Sequence, residues 1–279
     1  MNKIYQKISF QTSENITKAY STSFSQAVSM LPPEDRKAIY SIYGFVRIAD
    51  EIVDSFSFSD QELLLNELTQ NLNTGLKMGI SINPVLNSFI HIVHQYKIPY
   101  QLIDAFMASM RADLTKKNYH NEKETDEYIY GSAKVVGLMC LRVFVNGDDE
   151  LYNELEAPAM NLGSAFQKVN FLRDLKADYE HLNRTYFHDF DKATFDESVK
   201  LKIIADIEND FEMAKIGIKK LPGQSKLAVW LAFSYYSRLL KELKRTPAKK
   251  IIDHRIRVSN FRKIALMNKA YVTYKLDMI

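Results

Sequence analysis

Two groups of oxygen-bearing side chains, one in each half of the chain, have the spacing of a metal-binding helix face. Asp50 and Asp54 are four residues apart, so on a helix both carboxylates project from one face, one turn apart. Asn170, Asp174 and Asp178 repeat the same four-residue interval. Like charges at this spacing repel each other, and carboxylates among apolar neighbours are poor core residues unless they bind a cation. We therefore expect the two groups to face each other across a metal site.

The ligand types restrict which metal this would be. Carboxylate and amide oxygens select Mg²⁺ or Mn²⁺ rather than zinc, and a single cysteine, Cys140, excludes a Cys-based zinc site. Mg²⁺ keeps several waters and bridges to phosphate oxygens, so a diphosphate is the natural partner. One such pair of aspartates alone is usually a solvated charged face. Two groups in apolar surroundings favour the metal site instead.

The elements that position both groups are predicted to be helices. Only 9 glycines and 7 prolines occur in 279 residues, too few for a turn-rich β fold, and no useful stretch alternates with period two. A composition of 46% hydrophobic and 25% charged residues excludes disorder. Without repeats or linkers, residues 1–279 are predicted to form one all-α domain. The second acidic group is predicted on a helix that begins at Asp148 or Asp149 and continues past Asp178.

Start and stop signals predict further helix boundaries. A first helix is expected over about 14–30, because two prolines follow it. Ser59 opens a capping-box signature before a Leu-rich helix that is expected to end at Gly75. Thr125 or Asp126 is expected to cap a long apolar helix.

Charge and hydropathy bear on partners and location. The net charge of +3 is too weak to indicate a nucleic-acid partner. No run of 18 uncharged apolar residues predicts a membrane span, the first residues lack the apolar run of a secretory signal, and one cysteine fits a reducing compartment. We therefore expect a cytoplasmic protein. Residues 241–263 contain nine basic and two acidic side chains, which favours a solvated face or peripheral contact with anionic lipid.

The chain resembles the head-to-head prenyl synthases, the family of squalene, dehydrosqualene and phytoene synthases, from about Tyr20 to about Lys263. The resemblance rests on four segments in particular: Tyr20-Ser-Thr-Ser-Phe24, Asp50-Glu-Ile-Val-Asp54, Tyr130-Gly-Ser-Ala-Lys-Val-Val-Gly137 and Gln167-Lys-Val-Asn-Phe-Leu-Arg-Asp-Leu-Lys-Ala-Asp178. The first acidic motif, in its DExxD form, is more similar to phytoene synthases than to squalene synthases. The family's usual proline after the second motif is absent, so the loop that covers the site is expected to differ in shape.

The resemblance implies a bundle of the isoprenoid synthase type with a central cavity, and a magnesium-dependent prenyltransferase. In that reaction one prenyl diphosphate ionises to an allylic cation, and the double bond of a second molecule captures it. The cyclopropyl diphosphate that results ionises in turn and rearranges to a C1–C1′ linked product. We expect two geranylgeranyl diphosphates to give phytoene in carotenoid biosynthesis. NADPH is not expected, since no G-x-G-x-x-G fingerprint occurs.

Two alternatives stay open. The first keeps the chemistry but shortens the substrate to farnesyl diphosphate, giving dehydrosqualene or squalene. The second is a non-catalytic relative that acts as an assembly factor, although such relatives lose motif aspartates and this chain keeps them. The oligomeric state is not predicted.

The resemblance also assigns roles to individual residues. It gives the metal ligands as Asp50, Asp54, Asn170, Asp174 and Asp178. It gives the aromatic residues that stabilise the cation as Phe24, Tyr43 and Tyr236, with Tyr235 as the alternative if the register shifts by one. It gives the contacts to diphosphate as Ser21, Ser23, Arg47 and Arg173, and it adds Gln167 as a further substrate-binding residue one turn before Asn170.

Some of these residues have an equally physical structural interpretation. Arg47 could form a salt bridge with Asp50 at i, i+3 rather than hold diphosphate. Ala133 and Gly137 are small residues on one helix stripe, which leaves room for a polyprenyl tail or lets two helices pack closely.

Overall fold

A computed structural model describes residues 3–56, 58–116, 118–181, 185–187 and 195–279. Within 178–181 only the backbone is described, so the side chain of Asp178 lies outside the described part of the chain. Most of the loop after the second motif lies outside it as well. In the described ranges all regular structure is helical, apart from an isolated bridge between Asn118 and Thr185. The all-α prediction is therefore confirmed.

The helices follow one another with short connections. In chain order they are α1 (Lys3–Tyr20), α2 (Thr22–Val28), α3 (Pro33–Ser55), α4 (Gln61–Met78), α5 (Pro84–Gln95), α6 (Tyr100–Asp113), α7 (Glu122–Ile129), α8 (Val135–Val145), α9 (Asp149–His181), α10 (Glu197–Lys220), α11 (Gly223–Arg245), α12 (Ala248–Asp253) and α13 (Asn260–Lys275). A π-helical turn, Tyr130–Lys134, joins α7 to α8.

The predicted first helix over 14–30 was wrong at both ends. Helix α1 begins at Lys3, and the chain then breaks at Ser21 before α2. Ser21 has an extended backbone with φ −143° and ψ 104°, and its hydroxyl accepts the Phe24 N–H at 3.3 Å. A serine in this conformation caps a new helix rather than continuing the old one.

Two further boundaries differ from the sequence signals. Asp60 rather than Ser59 caps α4, which runs past Gly75 and ends where Gly79 adopts a left-handed φ of 73°. Asn121, rather than Thr125 or Asp126, caps α7, because its side chain accepts a backbone N–H one turn later. The predicted start of α9 is correct, since the Asp148 carboxylate accepts the Leu151 N–H at 2.9 Å.

Five helices form a closed ring. Helix α2 packs against α3 and α11, α11 packs against α9, α9 against α8, and α8 against α3. The first acidic group lies on α3 and the second on α9. The ring therefore places the two groups on different walls of one interior space.

The helical run Glu122–Val145 is long enough and apolar enough to cross a membrane, judged by length and composition alone. Half of its apolar window is buried inside the protein. A core helix has this composition too, and the run passes directly beside the interior space, where α8 packs on α3 and α9.

Lys168 of α9 is a buried cation held by two carboxylates of α10. Its ammonium donates to Asp206 at 2.5 Å and to Asp210 at 2.9 Å, and Asp210 also accepts the Ser164 hydroxyl at 2.8 Å. Burial by itself would lower the pKa of Lys168, but the hydrogen bonds to both carboxylates outweigh burial and raise that pKa. This cluster fixes the helix that carries the second acidic group.

We predict that Lys168→Met lowers the free energy of unfolding by about 3 kcal/mol, because the charge of Asp210 would stay buried without its cation. Urea denaturation followed by circular dichroism measures the loss. The matched control is Lys244→Met, which removes a more exposed pair with Glu208 at 2.7 Å and should cost less than about 1 kcal/mol. Equal losses in the two variants would contradict this account.

Candidate active site

A cavity of about 800 Å³ lies inside the ring of helices. Its wall comes from α2, α3, the π-helical turn, α8, α9, α10, α11 and the segment 255–263. Most of the wall is apolar, with side chains such as Ile42, Phe144 and Leu155. A cavity of this size and lining suits a ligand with a long apolar part.

Many of the residues predicted for the site lie in this wall. They are Ser21, Ser23, Phe24, Tyr43, Ala133, Gly137, Gln167, Arg173 and Tyr236. Tyr235, the alternative to Tyr236, reaches the wall too, and its hydroxyl donates to Gln26 at 3.1 Å. The cavity therefore brings together predicted residues from α2, the π-helical turn, α3, α8, α9 and α11.

The acidic residues lie further along the helix faces that line the cavity. On α3, Asp50 and Asp54 follow Tyr43 at intervals of seven and four residues, which is one helix face. On α9, Asn170 and Asp174 follow the wall residues around Gln167 in the same way.

Tyr236 connects the two faces. Its hydroxyl donates to Asn170 at 3.3 Å, and its ring stacks on Phe166 with centres 4.0 Å apart. Burial is the main cause that raises the pKa of the Tyr43 phenol to about 12; Tyr236 and Asp50 add to this effect and Arg47 opposes it. Tyr236 of α11 therefore contacts the second acidic group at Asn170 and lies near Tyr43 of α3.

Asp50 of the first acidic group pairs with an arginine of its own helix. The guanidinium of Arg47 donates to both Asp50 and Glu51 and lies 4.3 Å from the centre of the Tyr20 ring. Burial would lower the pKa of Arg47, but the two carboxylates outweigh it and raise that pKa. Arg47 therefore forms the salt bridge with Asp50 that the sequence left as one of two possibilities. Its position above a ring of the cavity wall also suits contact with a diphosphate.

Asp174 of the second acidic group pairs with an arginine that lies far away in the sequence. Asp174 accepts Nε of Arg173 at 3.0 Å and also pairs with Nε of Arg255 at 2.7 Å. Arg255 was not predicted as a site residue, although it belongs to the basic stretch over 241–263. Arg255 lines the cavity together with Arg257 and Lys263. Burial and the charge of Arg257 both lower the pKa of Lys263, as expected where cations crowd together.

The donor set fits a hard cation by its chemistry. Asp50, Asp54, Asn170 and Asp174 offer only oxygen atoms, as Mg²⁺ prefers. Among the residues that the structure describes, no three acidic, histidine or cysteine side chains lie close enough together to hold a metal ion. The predicted fifth ligand, Asp178, has no described side chain. The metal site stays a prediction.

The small residues lie both in the cavity wall and at a close contact between helices, while the polyprenyl tail stays a prediction. Ala133 and Gly137 line the cavity, and they also lie where backbones nearly touch. A Cβ on Gly163 would be 2.8 Å from the Ala133 carbonyl oxygen, and one on Gly137 would be 3.1 Å from that of Ala159. Close packing of α8 and the π-helical turn on α9 therefore requires small side chains here.

Two further features were not predicted, one in the cavity wall and one outside it. Ser132, in the π-helical turn, lines the cavity with a buried hydroxyl that has no hydrogen-bond partner among the residues that the structure describes. Tyr186 stacks on Phe171 with ring centres 3.9 Å apart, and its carbonyl accepts the Thr125 hydroxyl at 2.9 Å. The second contact anchors the chain after the second motif against α7. Neither can be read from helical periodicity.

Comparisons with known proteins agree with the motifs. The family model described as squalene/phytoene synthase matches residues 17–188. The 4,4'-diapophytoene synthase of Staphylococcus haemolyticus is 24% identical, over 95% of this chain and 97% of that protein. The phytoene synthase of Arthrospira platensis is 27% identical, over 85% of this chain and 84% of that protein.

Solved structures share the fold. A dehydrosqualene synthase with bound ligand superposes with a TM-score of 0.84 at 24% identity, covering 98% of each chain. The squalene synthase HpnC from Alicyclobacillus acidocaldarius gives a TM-score of 0.76 at 19% identity, over 87% of this chain and 95% of that one. The predicted isoprenoid synthase type of bundle is confirmed. Because the family match covers more than half of its residues, the chain belongs to the squalene/phytoene synthase family of prenyltransferases.

Proposed function

We propose that this protein joins two prenyl diphosphates head to head, as its family does. The observation that carries the proposal is the continuity between an apolar cavity and a charged rim. The helix faces that line the cavity at Tyr43 and Gln167 continue into the two acidic groups and their arginines. A prenyl diphosphate has the same division, with a long apolar tail and a charged head.

The rim offers the groups that a diphosphate needs. Arg47, Arg173 and Arg255 are planar forks that bind phosphate oxygens in pairs, and each now pairs with a carboxylate. Ser21 and Ser23 add hydroxyls at the cavity wall. Asp50, Asp54, Asn170, Asp174 and Asp178 would hold Mg²⁺ or Mn²⁺. When bound, that ion would neutralise the charge of the diphosphate so that it can leave.

The interior suits a carbocation. Phe24 stacks on Tyr43 with ring centres 4.8 Å apart, and the stacked Tyr236 and Phe166 line the same cavity. Aromatic faces attract a cation without forming a bond to it. Because its pKa is raised to about 12, Tyr43 remains a neutral phenol at neutral pH and offers no phenolate to capture the cation. The apolar wall keeps water away from it.

For the substrate we propose geranylgeranyl diphosphate, with phytoene as the product and carotenoid biosynthesis as the setting. The DExxD form of the first motif and the similarity to phytoene synthases support this choice. Farnesyl diphosphate is the second candidate, supported by the similarity over 98% of the chain to a dehydrosqualene synthase. NADPH is not expected to take part. An assembly role without catalysis is disfavoured, since every motif aspartate is present.

Incubation with each diphosphate separates these candidates. We expect the purified protein with Mg²⁺ to convert geranylgeranyl diphosphate to phytoene, with the same yield whether or not NADPH is added. Extraction of the hydrocarbon and gas chromatography identify the product. Conversion of farnesyl diphosphate alone would reject the longer substrate, and conversion of neither would reject the proposed reaction.

Removing one carboxylate from either acidic group should stop turnover. We expect Asp50→Asn and Asp174→Asn each to lower kcat by at least about 10²-fold, with far-UV circular dichroism unchanged, and chelation by EDTA to inactivate the native protein reversibly. Release of inorganic diphosphate measures the rate. Asp104→Asn, an exposed aspartate on α6, is the matched control and should keep full activity. Normal turnover by either motif variant would refute the assignment of these residues.

A further inference from the structure

Helix α13 is apolar on two opposite sides. Its inner side packs on α11 through Leu266, Met267, Ala270 and Tyr274. The outer side carries Phe261, Ile264, Tyr271, Val272 and Leu276, which helical periodicity places on one face together with Asn268 and Lys275. Phe261 is 82% exposed, and the other four apolar side chains are about half exposed or more.

Such a face is unusual for a helix at the surface of a protein. A surface helix normally turns charged and polar side chains to the solvent, and an apolar stripe only to the core. Contiguous exposed apolar side chains of this kind mark interaction sites. The outer face of α13 is therefore a candidate surface for binding another molecule.

The charged side chains around this face indicate what kind of molecule it binds. Residues 254–276 contain six arginines and lysines and no aspartate or glutamate. Arg255 and Arg262 pair with carboxylates elsewhere in the protein, whereas Lys269 and Lys275 are exposed along the apolar face, with the Lys275 ammonium 5.6 Å from the Tyr271 ring centre. A second copy docked face to face would oppose like charges. An anionic lipid surface complements both features.

Helix α13 also adjoins the cavity. The segment that leads into α13 lines the cavity at Arg257, Val258 and Asn260, and Lys263 in the first turn does so too. Part of the basic stretch over 241–263 pairs with carboxylates of the protein, as Lys244 does with Glu208. The exposed apolar side chains are those of α13 itself.

We propose that the outer face of α13, formed by Phe261, Ile264, Tyr271, Val272 and Leu276, inserts into the headgroup region of an anionic membrane. Lys269 and Lys275 contact the lipid phosphates. Docking in this way would bring the cavity, whose wall includes the first turn of α13, close to the bilayer, where a water-insoluble hydrocarbon can dissolve; this last consequence rests on the proposed function, but docking itself does not.

Flotation of the full chain with vesicles tests the proposal. We expect binding to vesicles of phosphatidylglycerol and phosphatidylcholine but not to phosphatidylcholine alone. The double variant Phe261→Glu, Ile264→Glu should weaken binding by at least about tenfold. The control is Leu63→Glu, at an exposed apolar residue of α4, and it should leave binding unchanged. Helix α4 packs on α3, α5 and α6, whereas α13 packs on α11. Lys269→Glu should also weaken binding, whereas Lys202→Glu on α10 should not.

Three results would overturn the proposal. One is unchanged binding of the double variant, with circular dichroism showing that it is folded. Another is equal binding to neutral and anionic vesicles. The third is a dimer in lipid-free sedimentation that Phe261→Glu dissociates, because α13 would then belong to a second copy. Since no substrate is used, a failure of the proposed reaction leaves this measurement intact.

Discussion

The rest of the site depends on keeping like-charged carboxylates at the edge of an apolar cavity. Partly buried carboxylates are costly unless cations and hydrogen bonds compensate them. On α3 the compensation is local, because Arg47 reaches Asp50 from the preceding turn. On α9 it is shared between Arg173 and Arg255, which comes from the segment after α12. A diphosphate could replace the carboxylates as the partner of these arginines, so the charge balance of the rim would be kept during binding.

Two kinds of side chain, small residues and aromatic rings, form the walls of the cavity. Where α8 and the π-helical turn meet α9, glycine and alanine let the backbones nearly touch, as at Gly163 and Ala133. Elsewhere the wall carries paired rings, such as Phe24 with Tyr43. Small residues and stacked aromatic rings thus line one interior of about 800 Å³, and under the proposed function the same rings would face a carbocation.

The C-terminal segment links this interior to the surface. Arg255 pairs with Asp174 at the rim, the following residues line the cavity, and α13 then turns an apolar face outward. Over about twenty positions the chain therefore contacts the acidic group, lines the cavity and forms the proposed membrane surface in turn. This continuity suits an enzyme whose substrates carry apolar tails and whose product has no polar group.

The sequence by itself determined the helical class, the two acidic faces and the start of α9, because all of these follow from local periodicity and capping. Asp50 and Asp54 share a face in any helix, whatever packs against it. The break at Ser21, the π-helical turn at Ser132, the pairing of Arg255 with Asp174 and the exposed side of α13 were decided only by the tertiary structure. The last two depend on which groups meet across large separations in the chain, whereas the break at Ser21 is accompanied by a local cap, the bond from the Phe24 N–H to the Ser21 hydroxyl. A helical pattern predicts which side chains share a face, but it does not predict which apolar face packs against the rest of the protein.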